Sequence, residues 1–131
     1  ESITEAFDFI LIDGEAGIEQ INRNVMRAVD TVIVVTDPTA RGFQTAALIR
    51  KMLDDSRPTD CRKVGMVVNR VKGDRGGIEQ IAQSAGLEIL GYIPEDELIT
   101  KNDLLGKSLI ELPDSAPSVV AVENVIGRLN L

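Results

Sequence analysis

Asp13 and Gly17 stand four residues apart in the stretch Asp13-Gly14-Glu15-Ala16-Gly17, directly after the apolar run Phe7-Asp8-Phe9-Ile10-Leu11-Ile12. A carboxylate at the C-terminal tip of a buried strand can hold Mg²⁺, usually through water. A glycine just beyond it lets a backbone N–H approach a terminal phosphate. The pair therefore suits a Mg²⁺-nucleotide site, with Asp13 and Gly17 as the catalytic positions and Asp13 as the metal carboxylate. Taken alone, Asp13 would also fit a turn or a helix cap, and only its spacing from Asp13 sets Gly17 apart from a turn glycine. A phosphate-cradling loop of the form GxxxxGK[ST] belongs upstream of such an aspartate, and only twelve residues precede Asp13. The expectation is one incomplete domain over residues 1–131 that lacks the phosphate-loop half. A small complete α/β domain is the alternative that the length permits.

Positioning such groups requires buried strands. Runs of strand type are Phe7 to Ile12, Thr31 to Thr36, Lys63 to Asn69 and Glu88 to Ile93. Three are almost continuously apolar, the pattern of strands covered on both faces of a parallel sheet. Between them apolar residues recur at helical spacing: Ile18, Ile21, Val25, Val29; then Ala46, Ile49, Leu53; then Ile78, Ile81, Ala85. Gly86 fits a C-cap and Pro58 lies beyond the end of the second helix. A short helix is expected around Glu95 to Leu105 and a last one from about Ser118 to Leu129. Strands alternating with helices predict an α/β fold of three layers, a mostly parallel sheet with flanking helices. Thr36-Asp37-Pro38 falls at the tip of the second strand, on the edge where Asp13 and Asn69 are expected, and strand ends converging on one edge suit a ligand site.

Composition removes several function classes. The net charge is −7 and the aromatic content 3%, which argues against a nucleic-acid partner that needs clustered cations or stacking rings. The final segment VVAVENVIGRLNL has only Arg128 as a cation, unlike a membrane-surface helix. No run reaches the roughly 18 apolar residues that span a bilayer. There is no histidine, so neither the commonest metal ligand nor the commonest general base is present. A lone Cys61 cannot form an internal disulfide, and a reducing cytoplasm is the simplest compartment.

The segments FDFILIDGEAGIEQINR, VIVVTDPTARGFQTAALIRKM, MVVNRV and GYIPEDELITKNDLLGKSL, from Phe7 to about Leu112, resemble the second half of deviant-Walker P-loop ATPases. This is the MinD/ParA and nitrogenase-iron-protein group. Glu15-Ala16-Gly17 with Glu19 and Arg23 tilts the resemblance toward the CooC-type ATPases that insert nickel into carbon monoxide dehydrogenase. The resemblance implies an ATP/ADP-binding protein with Mg²⁺ that works as a homodimer and serves a metalloenzyme client. Any Ni²⁺ would be handled by residues not in this chain, and the 131 residues alone would be inactive as an ATPase. It also implies that Asp13 orients Mg²⁺ and that the Gly17 N–H senses the γ-phosphate.

Asn69-Arg70 resembles the base-recognition motif of that group, and a carboxamide's donor and acceptor match the N6/N7 edge of adenine. Pro94-Glu95-Asp96 would close over the base, so the cofactor-binding set is Asn69, Arg70, Pro94, Glu95, Asp37 and Pro38. Gly106-Lys107-Ser108 ends like a phosphate loop without its upstream glycine, and Lys72 to Gly77 reads as a solvated loop. Two other functions stay open: a MinD/ParA-like positioning ATPase, or a nucleotide-incompetent regulatory or dimerisation module.

Overall fold

β-Branched residues fill the run Thr31–Thr36 and supply the four valines of Lys63–Val71, and their stiff side chains suit the pleated surface of a sheet. The computed structural model describes residues 5–14, 29–56 and 61–131. Among them three strands form a parallel sheet in the order β1 (Thr31–Thr36), β2 (Lys63–Val71), β3 (Glu88–Pro94). Helices α1 (Ala40–Ser56) and α2 (Gly76–Gln83) follow the first two strands. α3 (Glu97–Leu104), a 3-10 turn (Leu109–Glu111) and α4 (Pro117–Leu129) follow the third.

The alternation of side chains along β2 divides the core in two. Met66 and Val68 point to the face of α1 and α2, where Val34, Phe43, Ala46 and Ala82 close around them. Val67 points to the other face and meets Leu90 and Val125 beneath α4. The Arg128 guanidinium donates to the Leu90 carbonyl at 3.2 Å, and Lys63 Nζ donates to the Arg128 carbonyl at 2.9 Å, fastening α4 to the sheet. The result is the expected three-layer α/β arrangement. Gly86, at φ +73°, lies beyond α2 where a C-cap was expected.

The run Phe7–Ile12 departs from expectation. It forms no strand, and Leu11 is 94% exposed. The physical reason is that an apolar run states a preference for burial but not a partner for its N–H and C=O groups. Among the described residues β1 has β2 as its one neighbour, and Phe7–Ile12 joins neither. The helical spacing over Ile18, Ile21 and Val25 lies outside the described residues, as does Pro58.

Candidate functional site

In a parallel sheet all C-terminal strand ends share one edge, and here that edge carries Asp37 after β1, Asn69 and Arg70 near the end of β2, and Pro94 and Glu95 at the end of β3. At β1 the turn is drawn tight. Asp37 Oδ1 accepts from Thr39 Oγ1 at 2.7 Å, and Thr39 Oγ1 accepts from the Gly42 N–H at 3.0 Å, so Thr39 caps α1. A Cβ on Gly42 would fall 2.8 Å from the Asp37 carbonyl oxygen, which is why the helix can start this close to the strand only with glycine there. Asp37 and Pro38 thus form the turn that joins β1 to α1, and the Asp37 carboxylate already holds Thr39.

The end of β2 is irregular. Its register against β3 shifts between Val68 and Val71, and the displaced residues are Asn69 and Arg70. Arg70 sits at φ +60°, a left-handed conformation that costs a non-glycine residue about 1 kcal/mol or more. Asn69 Oδ1 accepts from the Arg70 N–H at 2.9 Å, and its amide NH₂ has no partner among the described residues. Bulges of this kind re-aim a side chain at a functional rim. Glu95 reaches across from β3 to this bulge. Its carboxylate stands 3.8 Å from the Arg70 guanidinium and 3.2 Å from Lys72 Nζ, while its N–H donates to the Val71 carbonyl at 3.0 Å.

Beside the bulge lies an open cavity of about 750 Å³ between the β2–α2 loop and α3. Its floor is Val71, Tyr92 and Pro94; its rim carries Lys72, Arg75 and Lys101 against Glu95 and Glu97. The Arg75 guanidinium carbon lies 5.3 Å from the centre of the Tyr92 ring. The Tyr92 hydroxyl is buried and has no hydrogen-bond partner among the described residues, and burial first, then the Glu79 charge, raises its pKa against the opposing pull of Arg75.

Of the sequence-predicted residues, Pro94 and Glu95 line this cavity, and Asn69 and Arg70 form the bulge at its border. Asp37 and Pro38 share the edge without lining the cavity. Asp13 is exposed in a segment that joins no described ladder, so of the three strand ends expected to converge, those at Asp37 and Asn69 share the edge and the one at Asp13 does not. Gly17, with Glu15, Ala16, Glu19 and Arg23, lies outside the described residues.

The decoys resolve locally. Gly106, at φ +65°, ends α3, and Ser108 with Glu111 builds a capping box on the 3-10 turn, so Gly106-Lys107-Ser108 is a helix-to-helix joint. Asp74 Oδ1 accepts from the Gly76 N–H at 3.1 Å in the loop before α2. Among the described residues no three Cys, Asp or Glu side chains gather as metal ligands. No described helix is long and apolar enough to cross a membrane.

Sequence reasoning missed the role of the Asp96 side chain. It is 6% exposed and caps α3 by accepting from the Leu98 N–H at 2.9 Å. Its second oxygen accepts from the Ser118 N–H at 3.0 Å and the Ser118 hydroxyl at 2.6 Å. That hydroxyl first, then the Ser118 and Leu98 amides, hold the carboxyl below its ordinary range while burial pushes the other way. The cap before Glu97 was legible as Asp96 followed by a helical run; the contact with a residue at the start of α4 was not.

No family model matches the chain. It is 30% identical over 130 residues to a Methanocaldococcus jannaschii protein named only as an ATP-binding protein, covering 98% of this chain and 51% of that one. It is 28% identical to the septum site-determining protein MinD of Bacillus subtilis over 98% of this chain and 50% of that one. With the carbon monoxide dehydrogenase accessory protein CooC of Rhodospirillum rubrum the identity is 35% over 84% of this chain and 41% of that one. The chain thus spans about half the length of the curated relatives it matches. The solved cell division ATPase MinD of Pyrococcus furiosus superposes with a TM-score of 0.73 at 22% identity, covering 96% of this chain and 53% of that one, which shows a common fold.

Proposed function

The homologues of this chain are MinD/ParA-type ATPases, and from that premise we propose that its strand-end edge is the base-binding side of an ATP-dependent switch protein. The observation that carries the reading is the bulge at Asn69 and Arg70. A strained residue persists where the surroundings over-determine it, and here the distortion lies beside a carboxamide at the border of the cavity that Pro94 and Glu95 line. The free NH₂ of Asn69 can donate to N7 of adenine, or its oxygen can exchange partners and accept from N6. Pro94 supplies an apolar edge for the base, and Glu95 is held back from it by Arg70 and Lys72.

Mg²⁺ would be met by a hard oxygen donor, and Asp13 is the residue of this chain with the right donor type at the right place in the sequence. When bound, the ion would neutralise phosphate charge, while the chain's described residues orient the base.

The finer reading is that the switch helps insert nickel into carbon monoxide dehydrogenase or a related metalloenzyme. It is supported by the 35% identity with the accessory protein CooC. Nickel is then cargo, held outside this chain. The positioning-ATPase reading is favoured instead by the longer match to the septum protein MinD. Both readings imply a dimer in which two copies share their nucleotide faces.

The test is made on the whole protein as its gene encodes it. Asn69→Asp replaces the donor with a second acceptor, and is expected to weaken ATP while relatively favouring GTP, read by competition binding. Unchanged selectivity removes Asn69 from the site. Equilibrium dialysis with Ni²⁺, followed by reconstitution of a carbon monoxide dehydrogenase, separates the two finer readings.

A further inference from the structure

The base-side turn is fixed from behind by one carboxylate. We infer that Asp96, held by Ser118, is a positioning residue for the Pro94–Glu95 turn, and that it links this turn to α4. The inference rests on the base-site reading above.

Both oxygens of Asp96 are committed. Oδ1 takes the Leu98 N–H at 2.9 Å, and Oδ2 takes the Ser118 N–H at 3.0 Å together with the Ser118 hydroxyl at 2.6 Å. The side chain is therefore occupied by the fold and is not offered to a ligand. Leu98 is in the first turn of α3 and Ser118 in the first turn of α4, so the positive ends of two helices meet at one buried anion. The two contacts span 22 residues of chain. The same residue follows Glu95, whose N–H is bound to the Val71 carbonyl of β2 at 3.0 Å. The turn is thus tied at one end to the bulged strand and at the other to two helix starts.

Freeing the second tie would leave Pro94 and Glu95 attached to β2 alone. Ligand affinity depends on pre-placed groups, because a loop that must be ordered on binding subtracts that cost. Loss of the clamp should then weaken the ATP ground state and the transition state alike, since the base does not change during phosphoryl transfer.

In the whole protein, Asp96→Asn and Ser118→Ala are each expected to raise KM for ATP about tenfold, with kcat at saturation changed by less than about twofold. The double variant should be no worse than the more affected single one, as for partners in a single contact. Leu53→Ala, in the buried face of α1, is the control: it should lower Tm at least as far and leave KM alone. If both site variants lower Tm but keep the native KM, the clamp is merely structural and the inference fails while the base-site reading stands. If the unaltered protein binds no ATP, the reading and the inference fall together.

Discussion

Two apolar stretches of this chain meet opposite fates. In β2 the run Lys63–Val71 is covered on both faces, and Met66 and Val68 have no exposed surface at all. Phe7–Ile12 is just as apolar, yet it pairs with no described strand and lies open to solvent. The difference is hydrogen-bond partnership. β2 has a parallel neighbour on each side, so its backbone groups are satisfied and its side chains meet α1, α2 and α4. Hydrophobicity makes a segment a candidate for a sheet, and a neighbouring ladder makes it a strand.

This contrast can be broken by substitution in the 131-residue chain, followed by urea denaturation. Met66→Ala should have the largest effect, a loss of about 3 kcal/mol from a site with no exposed surface. Gentler conditions probe the rim of the same sheet. The folded Asp96 carboxyl has a lowered pKa, so its stabilisation is fully present above the unfolded value of about 3.9 and is lost as pH falls below that through the folded value. Wild type should therefore lose more of its urea midpoint between pH 5 and pH 2 than Asp96→Asn does; equal losses would deny the clamp its charge.

Arg70→Gly should gain about 0.5–1 kcal/mol by relieving the left-handed conformation, offset in part by the more flexible unfolded chain. In the whole protein the same change should weaken ATP, and a gain in both would mean that the bulge serves no ligand. The smallest effect belongs to Leu11→Ala, within about 0.5 kcal/mol of zero, because 94% exposure leaves little to lose. A loss as large as that of Met66→Ala would show that the run is buried in solution and would overturn the contrast.

How much of the site could be read in advance follows the same division. The strand-end positions of Asn69, Arg70, Pro94 and Glu95 were legible because each lies at the end of an apolar run, the edge at which a parallel sheet can offer a ligand site. The register shift was not legible: β2 was expected to end at Asn69, and it continues to Val71 with Asn69 and Arg70 displaced from the ladder. Tyr92 and Arg75 were missed because their approach across 17 positions of sequence is made by α2 folding back along the sheet.

The sequence by itself determined the three strands, the helices between and after them, and the parallel order that puts Asp37, Asn69 and Pro94 on one edge. Those features follow from local periodicity and from the connections that parallel strands require. Only the tertiary structure decided which apolar run found a ladder, where β2 bulges against β3, and that Asp96 closes on Ser118. Each of these depends on groups far apart in the chain reaching hydrogen-bond distance, and no local pattern of residue types encodes that distance.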